Sequence, residues 1–268
     1  MSAVLRLAFA CSLAAGVLLQ AAPGSAVAAP RCDAPGGARA EALWRVVEGC
    51  VAGKTDGTLA PPCLQLHQGG RGVAGALVLK DHSPRKPFEY LLIPTVPVDG
   101  IESAGLRAPA APNYFDLAWK ARAFLLRSPL LRRPLEPSWV VLALNSQCNR
   151  SQNQLHIHIG CLWPAVAETL HSLRRSEGSW AEVDFRHASA HPYFVTWIRD
   201  LAAVNVVAKV AADFHVPQSE MGLETIVVAG AADGFFLLRA DMEQDASADG
   251  EELIDPSCRI ARRTFPGP

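Results

Sequence analysis

The chain has 268 residues, of which 50% are hydrophobic and 19% are charged, and its formal net charge is −1 at pH 7. A hydrophobic fraction of this size fits one folded domain, or two small ones, and excludes a disordered chain. Because the net charge is close to zero, the protein as a whole has no field that would attract nucleic acid, and we expect no such partner.

The N-terminal residues 1–28 have the pattern of an export segment. Arg6 precedes an apolar run over residues 7–22, and Ala26-Val27-Ala28 resembles a signal-peptidase cleavage site. The apolar run is shorter than the ~20 residues that a membrane-spanning helix needs. We therefore predict a cleaved signal peptide, with an uncleaved membrane anchor as the alternative; in both cases the rest of the chain is exported.

The spacing of apolar residues and the turn residues predict the elements of the fold. Helices are expected over residues 38–47, 113–126, 164–174 and 194–214. Strands are expected over residues 73–80, 88–94, 138–144, 154–161, 223–229 and 235–239. Four of these strands form two hairpins, which indicates a largely antiparallel sheet with packed helices, so the predicted class is α+β. No linker divides residues 29–268, and we expect a single domain there.

Six cysteines follow the export segment, at positions 32, 50, 63, 148, 161 and 258. An even number in an exported chain is typical of disulfides, and the absence of a Cys-x-x-Cys pair in the sequence argues against a zinc ribbon. Cys50 and Cys63 flank a loop rich in turn residues and are the preferred local pair. A bridge between Cys161 and Cys258 is a further hypothesis.

The strand over residues 154–161 contains the best candidates for catalysis. Side chains alternate across a strand, so His156 and His158 share one face, while Ile157 and Ile159 occupy the other. A neutral imidazole can attack phosphorus, and a neighbouring imidazole can orient it. Two half-buried histidines or two metal ligands are the alternatives. A metal would need a third ligand, and Gly160 stands where the strand could supply it, so we expect neither metal nor cofactor.

A polar run precedes this strand and fits the same chemistry. Ser151, Gln152 and Asn153 can offer side-chain and backbone donors to phosphate oxygens, on which negative charge builds during transfer. Positioning and electrostatics are most of what phosphoryl chemistry requires of a protein.

Three blocks resemble the active-site segment of the histidine-triad superfamily: Asn145, Ser151-Gln152-Asn153 and His156-Ile157-His158. In that superfamily an Asn is followed by Gly-Gln-Ser and then by three alternating histidines, of which the second is the nucleophile. Matched residue by residue, His158 is the second histidine, Asn153 replaces the phosphate-contacting serine, and Gly160 replaces the third histidine. If Gln154 held the first histidine position, the nucleophile would be His156; the spacing from Asn145 favours His158.

Further blocks resemble one branch, the CDP-diacylglycerol pyrophosphatase family of bacterial envelope enzymes. They include residues 79–81, 90–95, 100–103, 112–115, 117–122 and 152–161, and cysteines 50, 63, 161 and 258 also resemble the layout of that family. The resemblance implies a HIT-like fold, cleavage of CDP-diacylglycerol to CMP and phosphatidate, and contact with a membrane surface. It also implies a location in the bacterial periplasm or at the periplasmic face of the inner membrane.

The resemblance also implies roles for single residues. His158 would attack the phosphorus that carries cytidine, and His156 would orient or polarise the His158 ring. Phosphate oxygens and the loop would be held by Asn145, Ser151, Gln152 and Asn153. Lys80 is a candidate for neutralising the second phosphate, with a solvated lysine at a strand end as the alternative.

Two other functions stay open at this point. One is a general nucleotidyl hydrolase or transferase that acts on soluble dinucleotides. The other is a non-catalytic nucleotide- or lipid-binding protein, which the missing third histidine makes conceivable. A weaker metal hypothesis rests on Asp184, His187 and His191, whose spacing is helix-like.

Overall fold

The computed structural model describes residues 32–53, 58–69, 74–243, 246–247 and 249–262. The predicted export segment, residues 1–28, lies outside this range. Within the described residues, no helix has the length and apolar character that crossing a membrane requires.

The described chain folds into one large sheet with helices on it. Its strands are β1 Cys63–His67, β2 Ala76–Lys80, β3 Tyr90–Pro94, β4 Val140–Leu144, β5 Ile157–Cys161, β6 Ala181–Asp184, β7 Pro192–Ile198, β8 Thr225–Ala231 and β9 Gly234–Ala240. A separate small pair is formed by β10 Met242–Glu243 and β11 Ala246–Ser247. The helices are α1 Ala42–Ala52, α2 Tyr114–Ala121, α3 Ala123–Leu126, α4 Pro164–Ser172 and α5 Val206–Asp213. Short 3₁₀ turns include Gly250–Leu253, which lies near the chain's end.

The large sheet has the strand order β1-β2-β3-β5-β4-β8-β9-β7-β6, and each neighbouring pair is antiparallel. This confirms the predicted α+β class and both predicted hairpins, β2–β3 and β8–β9. Asn113 caps α2, as predicted, because its side-chain oxygen accepts a hydrogen bond from the Asp116 backbone N–H at 3.1 Å.

The helix predicted over residues 194–214 is wrong in its first part and confirmed over Val206–Asp213. Residues 192–198 form strand β7, which lies between β9 and β6, and helix α5 begins only at Val206. The segment Tyr193–Ile198 consists of aromatic and β-branched residues, which fit a pleated surface between two strands. Asn205 then starts the helix by accepting from the Ala208 backbone N–H. The short strands β1 and β6 were not predicted.

The sheet is covered on both faces, and the alternation of side chains divides β2 and β3 between two hydrophobic clusters. Val78 and Leu92 belong to the large core, which also contains residues of α2, α4 and α5. Leu79 and Leu91 point to the other face, where they form a smaller cluster with Val47 of α1. The predicted histidine strand β5 lies next to β3 and is therefore enclosed between two layers.

Three disulfides tie the periphery to this frame. Cys50–Cys63 and Cys161–Cys258 confirm the two pairs expected from the sequence, and Cys32–Cys148 is the third. Disulfides are typical of proteins that leave the reducing cytosol, which agrees with export. The Cys161–Cys258 bridge holds the C-terminal segment against the end of β5, where the Asp255 N–H also donates to the Cys161 carbonyl oxygen at 2.7 Å.

We expect loss of Cys161–Cys258 to destabilise the protein more than loss of Cys50–Cys63. The first bridge spans 97 residues and the second spans 13, and a longer closed loop removes more entropy from the unfolded chain. Replacing both cysteines of a pair with alanine should lower the free energy of unfolding by about 4.7 kcal/mol for the long bridge and about 3 kcal/mol for the short one. Urea unfolding without reductant measures both values, and equal losses would contradict this ranking.

Candidate active site

β5 and the residue just before it position the two predicted histidines. Its register pairs His158 with Leu91 of β3. Ile157 and Ile159 point into the large core and are 1% and 0% exposed. Because side chains alternate across a strand, His158 faces the opposite layer. His156 lies just before the strand on the same side, with the two ring centroids 5.0 Å apart, so the predicted shared face is confirmed.

Both imidazoles line a cavity of about 410 Å³. An apolar part of its lining comes from Leu43, Val46, Leu79 and Leu91. A polar part comes from Lys80, Lys86, Ser151, Gln152 and Glu251. The cavity therefore offers charged groups and an apolar surface to the same molecule.

His156 is held as a neutral ring. Its Nδ1 lies 2.7 Å from the Gln154 carbonyl oxygen, and since a carbonyl can only accept, we assign the ring proton to Nδ1. Burial, together with the nearby His158, lowers the pKa of His156 to about 4. At neutral pH the lone pair of His156 is therefore on Nε2.

His158 lies between two carboxylates. Its Nε2 is 3.0 Å from Glu251 Oε1, and its Nδ1 is 3.6 Å from Glu89 Oε2. Neither ring nitrogen makes a well-directed hydrogen bond to any described residue. The imidazole is thus placed by its neighbours' charge and packing rather than fixed by a hydrogen bond.

Lys86 connects these two carboxylates. Its Nζ lies 3.2 Å from Glu89 Oε2 and also forms an ion pair with Glu251. Burial alone would lower the pKa of Lys86, but the ion pairs with Glu251 and Glu89 reverse this and raise it. Burial alone would raise the pKa of Glu251, but His158 and Lys86 hold it below its usual value. Glu251 is therefore an anion in the resting site.

The structure brings Asn145 and the start of the polar run to this site. Asn145, just after β4, is buried and donates from Nδ2 to Glu251 Oε1 at 2.9 Å. Ser151 and Gln152 line the cavity. The Gln152 side-chain oxygen accepts from the Leu43 backbone N–H at 2.9 Å, which fixes the first turn of α1 beside the cavity.

The polar groups of Asn153 and Lys80 are engaged elsewhere. Asn153 is outside the cavity lining, and its Nδ2 donates to the Pro35 carbonyl oxygen at 2.7 Å. Lys80 does line the cavity, but its Nζ donates to the backbone carbonyl oxygens of Asp81, Lys86 and Glu89 at 3.1, 2.9 and 2.8 Å. These bonds fold the β2–β3 turn around the ammonium group.

Gly160 occupies the position of the third histidine, and the space beside it is filled. A Cβ on Gly160 would come within 2.5 Å of Ile254 Cγ2 and within 3.5 Å of Glu89 Cγ. Ile254 belongs to the C-terminal segment that the Cys161–Cys258 bridge holds in place. A larger residue at position 160 would therefore displace this segment.

Among the described residues, one group of three side chains could surround a metal ion. It consists of Asp81, Glu89 and His158, whose ligand atoms lie within 4.8 Å of one another. The group suggested by the sequence, Asp184, His187 and His191, is not brought together in this way. Asp184 instead pairs with Arg186 at 2.8 Å.

Three charged residues of the site were not predicted from the sequence: Lys86, Glu89 and Glu251. A single acidic residue inside the β-rich run 88–94 was the available signal for Glu89, since a buried strand seldom contains a carboxylate without a partner. Nothing in the local sequence around Glu251 distinguishes it from neighbouring acidic residues.

Comparison with known proteins shows the family of the chain. A family model described as CDP-diacylglycerol pyrophosphatase matches residues 38–262. The CDP-diacylglycerol pyrophosphatase of Yersinia pestis is 34% identical over 234 residues, which cover 82% of this chain and 85% of the relative. The protein is therefore a hydrolase. The chain belongs to the CDP-diacylglycerol pyrophosphatase family, as the resemblance of its sequence blocks predicted.

The lowered pKa of His156 should make folding sensitive to acid. The folded ring resists protonation down to about pH 4, whereas the unfolded ring takes up a proton near the ordinary histidine pKa of 6.5. The free energy of unfolding is therefore undiminished by His156 above pH 6.5, and it falls as the pH drops below this value. Between pH 8 and pH 5 the wild type should lose about 2 kcal/mol more free energy of unfolding than His156→Gln. Urea unfolding at both pH values measures this difference, and parallel losses would contradict a neutral buried ring.

Proposed function

We propose that this protein hydrolyses CDP-diacylglycerol to CMP and phosphatidate and that His158 is the nucleophile. Membership of the family and the match to the Yersinia pestis enzyme support the reaction. The placement of His158 supports its role as the nucleophile. Its ring faces a cavity that joins cationic and apolar groups, and its nitrogens are not held by directed hydrogen bonds within the described chain.

The reaction takes place in two displacements. His158 Nε2 bonds to the phosphorus that carries cytidine, the bond from this phosphorus to the bridging oxygen breaks, and phosphatidate leaves with that oxygen. A water oxygen then bonds to the same phosphorus, the bond to Nε2 breaks, and CMP is released. The histidine is regenerated, and the net change is the addition of one water molecule across the diphosphate.

The position of Glu251 indicates where the substrate's charge lies. Asn145 Nδ2, Lys86 Nζ and His158 Nε2 all converge on the Glu251 carboxylate. A phosphate group is also an anionic acceptor, so it fits the Asn145 and Lys86 donors, and His158 Nε2 then faces its phosphorus. On binding, the diphosphate takes the place of this carboxylate next to Nε2, and Lys86 and Asn145 then hold the phosphate oxygens.

The other predicted binding residues divide into two groups. Ser151 and Gln152 line the cavity and can contact substrate, and Gln152 also fixes α1 beside it. Asn153 and Lys80 use their donors on backbone carbonyl oxygens. We assign these two residues the task of shaping the loops around the cavity, and the cation nearest to the phosphates is Lys86.

His156 is the alternative nucleophile, and one observation favours it. Its Nδ1 is fixed on the Gln154 carbonyl oxygen, which leaves the Nε2 lone pair available at neutral pH. In the arrangement that we prefer, this neutral ring packs against His158 and polarises it.

The apolar part of the cavity favours a lipid-linked nucleotide over a soluble dinucleotide. Leu43 and Val46 of α1 lie beside Leu79 and Leu91 in the lining, and the two nucleosides of a dinucleotide offer less apolar surface than acyl chains do. We propose that this wall receives the glycerol and the start of the acyl chains while the protein contacts a membrane surface. We further propose a periplasmic location, a HIT-like fold, a single domain over residues 29–268 after the export segment, and no nucleic-acid partner.

Replacing the nucleophile should abolish the covalent intermediate. With substrate labelled at the phosphate next to cytidine, His158→Ala should release CMP at least a thousandfold more slowly and should form no labelled enzyme in a rapid base quench, which preserves phosphoramidates. His156→Ala is the matched variant; it should be slower than wild type but still become labelled. If the His158→Ala variant becomes labelled and the His156→Ala variant does not, the nucleophile is His156.

A charge on the apolar wall should discriminate between lipid and soluble substrates. Burial of a leucine side chain contributes about 1.5–3 kcal/mol, so Leu43→Asp should lower kcat/KM for CDP-diacylglycerol at least tenfold. The kcat/KM for CDP-glycerol, which lacks acyl chains, should change less than twofold. Leu130→Asp is the control, because Leu130 is 55% exposed and lies outside the cavity lining. Equal effects of Leu43→Asp on both substrates would contradict the lipid assignment of this wall.

A further inference from the structure

Glu89 lies beside Gly160 on the histidine face, next to the Ile254 side chain that packs over this glycine. The β3–β5 register pairs Tyr90 with Ile159, which sets Glu89 beside Gly160 on the neighbouring strand. The Glu89 side chain is 3% exposed, and its Cγ would lie 3.5 Å from a Cβ at position 160. The carboxylate of Glu89, which directly precedes β3, thus lies next to His158 at a place where β5 itself provides no side chain.

The backbone around Glu89 is held firmly. Its N–H donates to the Lys86 carbonyl oxygen, and its own carbonyl oxygen accepts from the Asp81 N–H and from Lys80 Nζ. The carboxylate lies 3.2 Å from Lys86 Nζ and 3.6 Å from His158 Nδ1, and an Asp81 carboxylate oxygen lies within 4.8 Å. Oε2 is buried and makes no directed hydrogen bond within the described residues, and the same is true of His158 Nδ1.

We propose that Glu89 is the positioning residue of the nucleophile: its carboxylate accepts a hydrogen bond from the His158 Nδ1–H and so presents the Nε2 lone pair to phosphorus. This role rests on the proposed function of His158. When Nε2 bonds to phosphorus, the ring becomes positively charged, and the Glu89 carboxylate stabilises that charge. The proton stays on Nδ1 throughout. Catalytic hydrogen bonds are often long before substrate binds, and a separation of 3.6 Å closes with a small rotation of the ring.

The two carboxylates at the site have different tasks because they face different nitrogens. Glu251 faces Nε2, the attacking atom, and yields its place to the diphosphate. Glu89 faces Nδ1, away from the phosphorus, and stays. In the resting site Lys86 pairs with both Glu89 and Glu251. When the diphosphate replaces Glu251, Lys86 pairs with Glu89 and with a phosphate oxygen.

Glu89→Gln tests this role, because it removes the charge and keeps the size. Glu224→Gln is the matched control: Glu224 and Glu89 are both 2% exposed, and Glu224 pairs with Arg239 outside the cavity lining. We expect Glu89→Gln to lower kcat and the single-turnover rate of enzyme labelling about a hundredfold or more, with KM within threefold of wild type. Glu224→Gln should lose stability and keep kcat.

Two further measurements separate positioning from a structural role. Glu89→Asp retains the charge on a shorter arm, so it should recover at least tenfold of the loss in kcat but stay below wild type, because its carboxylate lies farther from Nδ1. With a non-hydrolysable CDP-diacylglycerol analogue bound in place of Glu251, the ¹⁵N spectrum of the His158 ring should report a proton on Nδ1 in the wild type and a mixture of tautomers in Glu89→Gln. If Glu89→Gln does not fold, the aspartate variant is compared with wild type directly, and a reduced kcat at unchanged KM supports the proposal.

Several results would overturn the role of Glu89. They are a wild-type labelling rate in Glu89→Gln, a wild-type kcat in Glu89→Asp, or a change confined to KM. Activity that is lost in chelator and restored by a divalent cation would make Glu89 a metal ligand with Asp81 and His158, and would also overturn it. Failure of the proposed function looks different: His158→Ala would then still become labelled, whatever Glu89→Gln does.

Discussion

The register of β5 is the constraint on which the site depends. Ile157 and Ile159 are buried in the large core, and because side chains alternate, this forces His158 into the opposite layer. A slip by one residue would place an imidazole in the core and an isoleucine in the cavity, and the cost of both errors fixes the register. β5 is also hydrogen-bonded on both sides, by β3 and β4, so the imidazole rests on a rigid central strand.

Features with a strong local signal could be predicted from the sequence. Alternation over residues 154–161 placed both histidines on one face, and turn residues between apolar runs gave the two hairpins. The segment 192–214 misled the prediction because its apolar residues fit both a helix and a strand; pairing with β9 decided in favour of a strand for its first part. Strands such as β6, with only four residues, offer too short a pattern to read.

The carboxylates of the site could not be predicted because they meet only through tertiary structure. Glu251 and Asn145 are 106 residues apart in the chain, and nothing near either one indicates the other. Glu89 reaches His158 through the pairing of two strands whose register no sequence pattern specified. The polar run shows the reverse case, in which a local signal was present but misleading. Asn153 has a side chain suited to binding phosphate, but its amide instead donates to the Pro35 carbonyl oxygen.

The Cys161–Cys258 bridge has a consequence for where the enzyme can be active. The segment that it fastens to β5 carries Ile254, which packs over Gly160, and it continues from the turn that carries Glu251. Oxidation of two thiols therefore fastens the segment that carries Glu251 to the histidine strand. A newly made chain in a reducing compartment has the histidine strand without this fastening. Because disulfides form in oxidising compartments, this fastening of the Glu251 segment depends on the redox state of the surroundings.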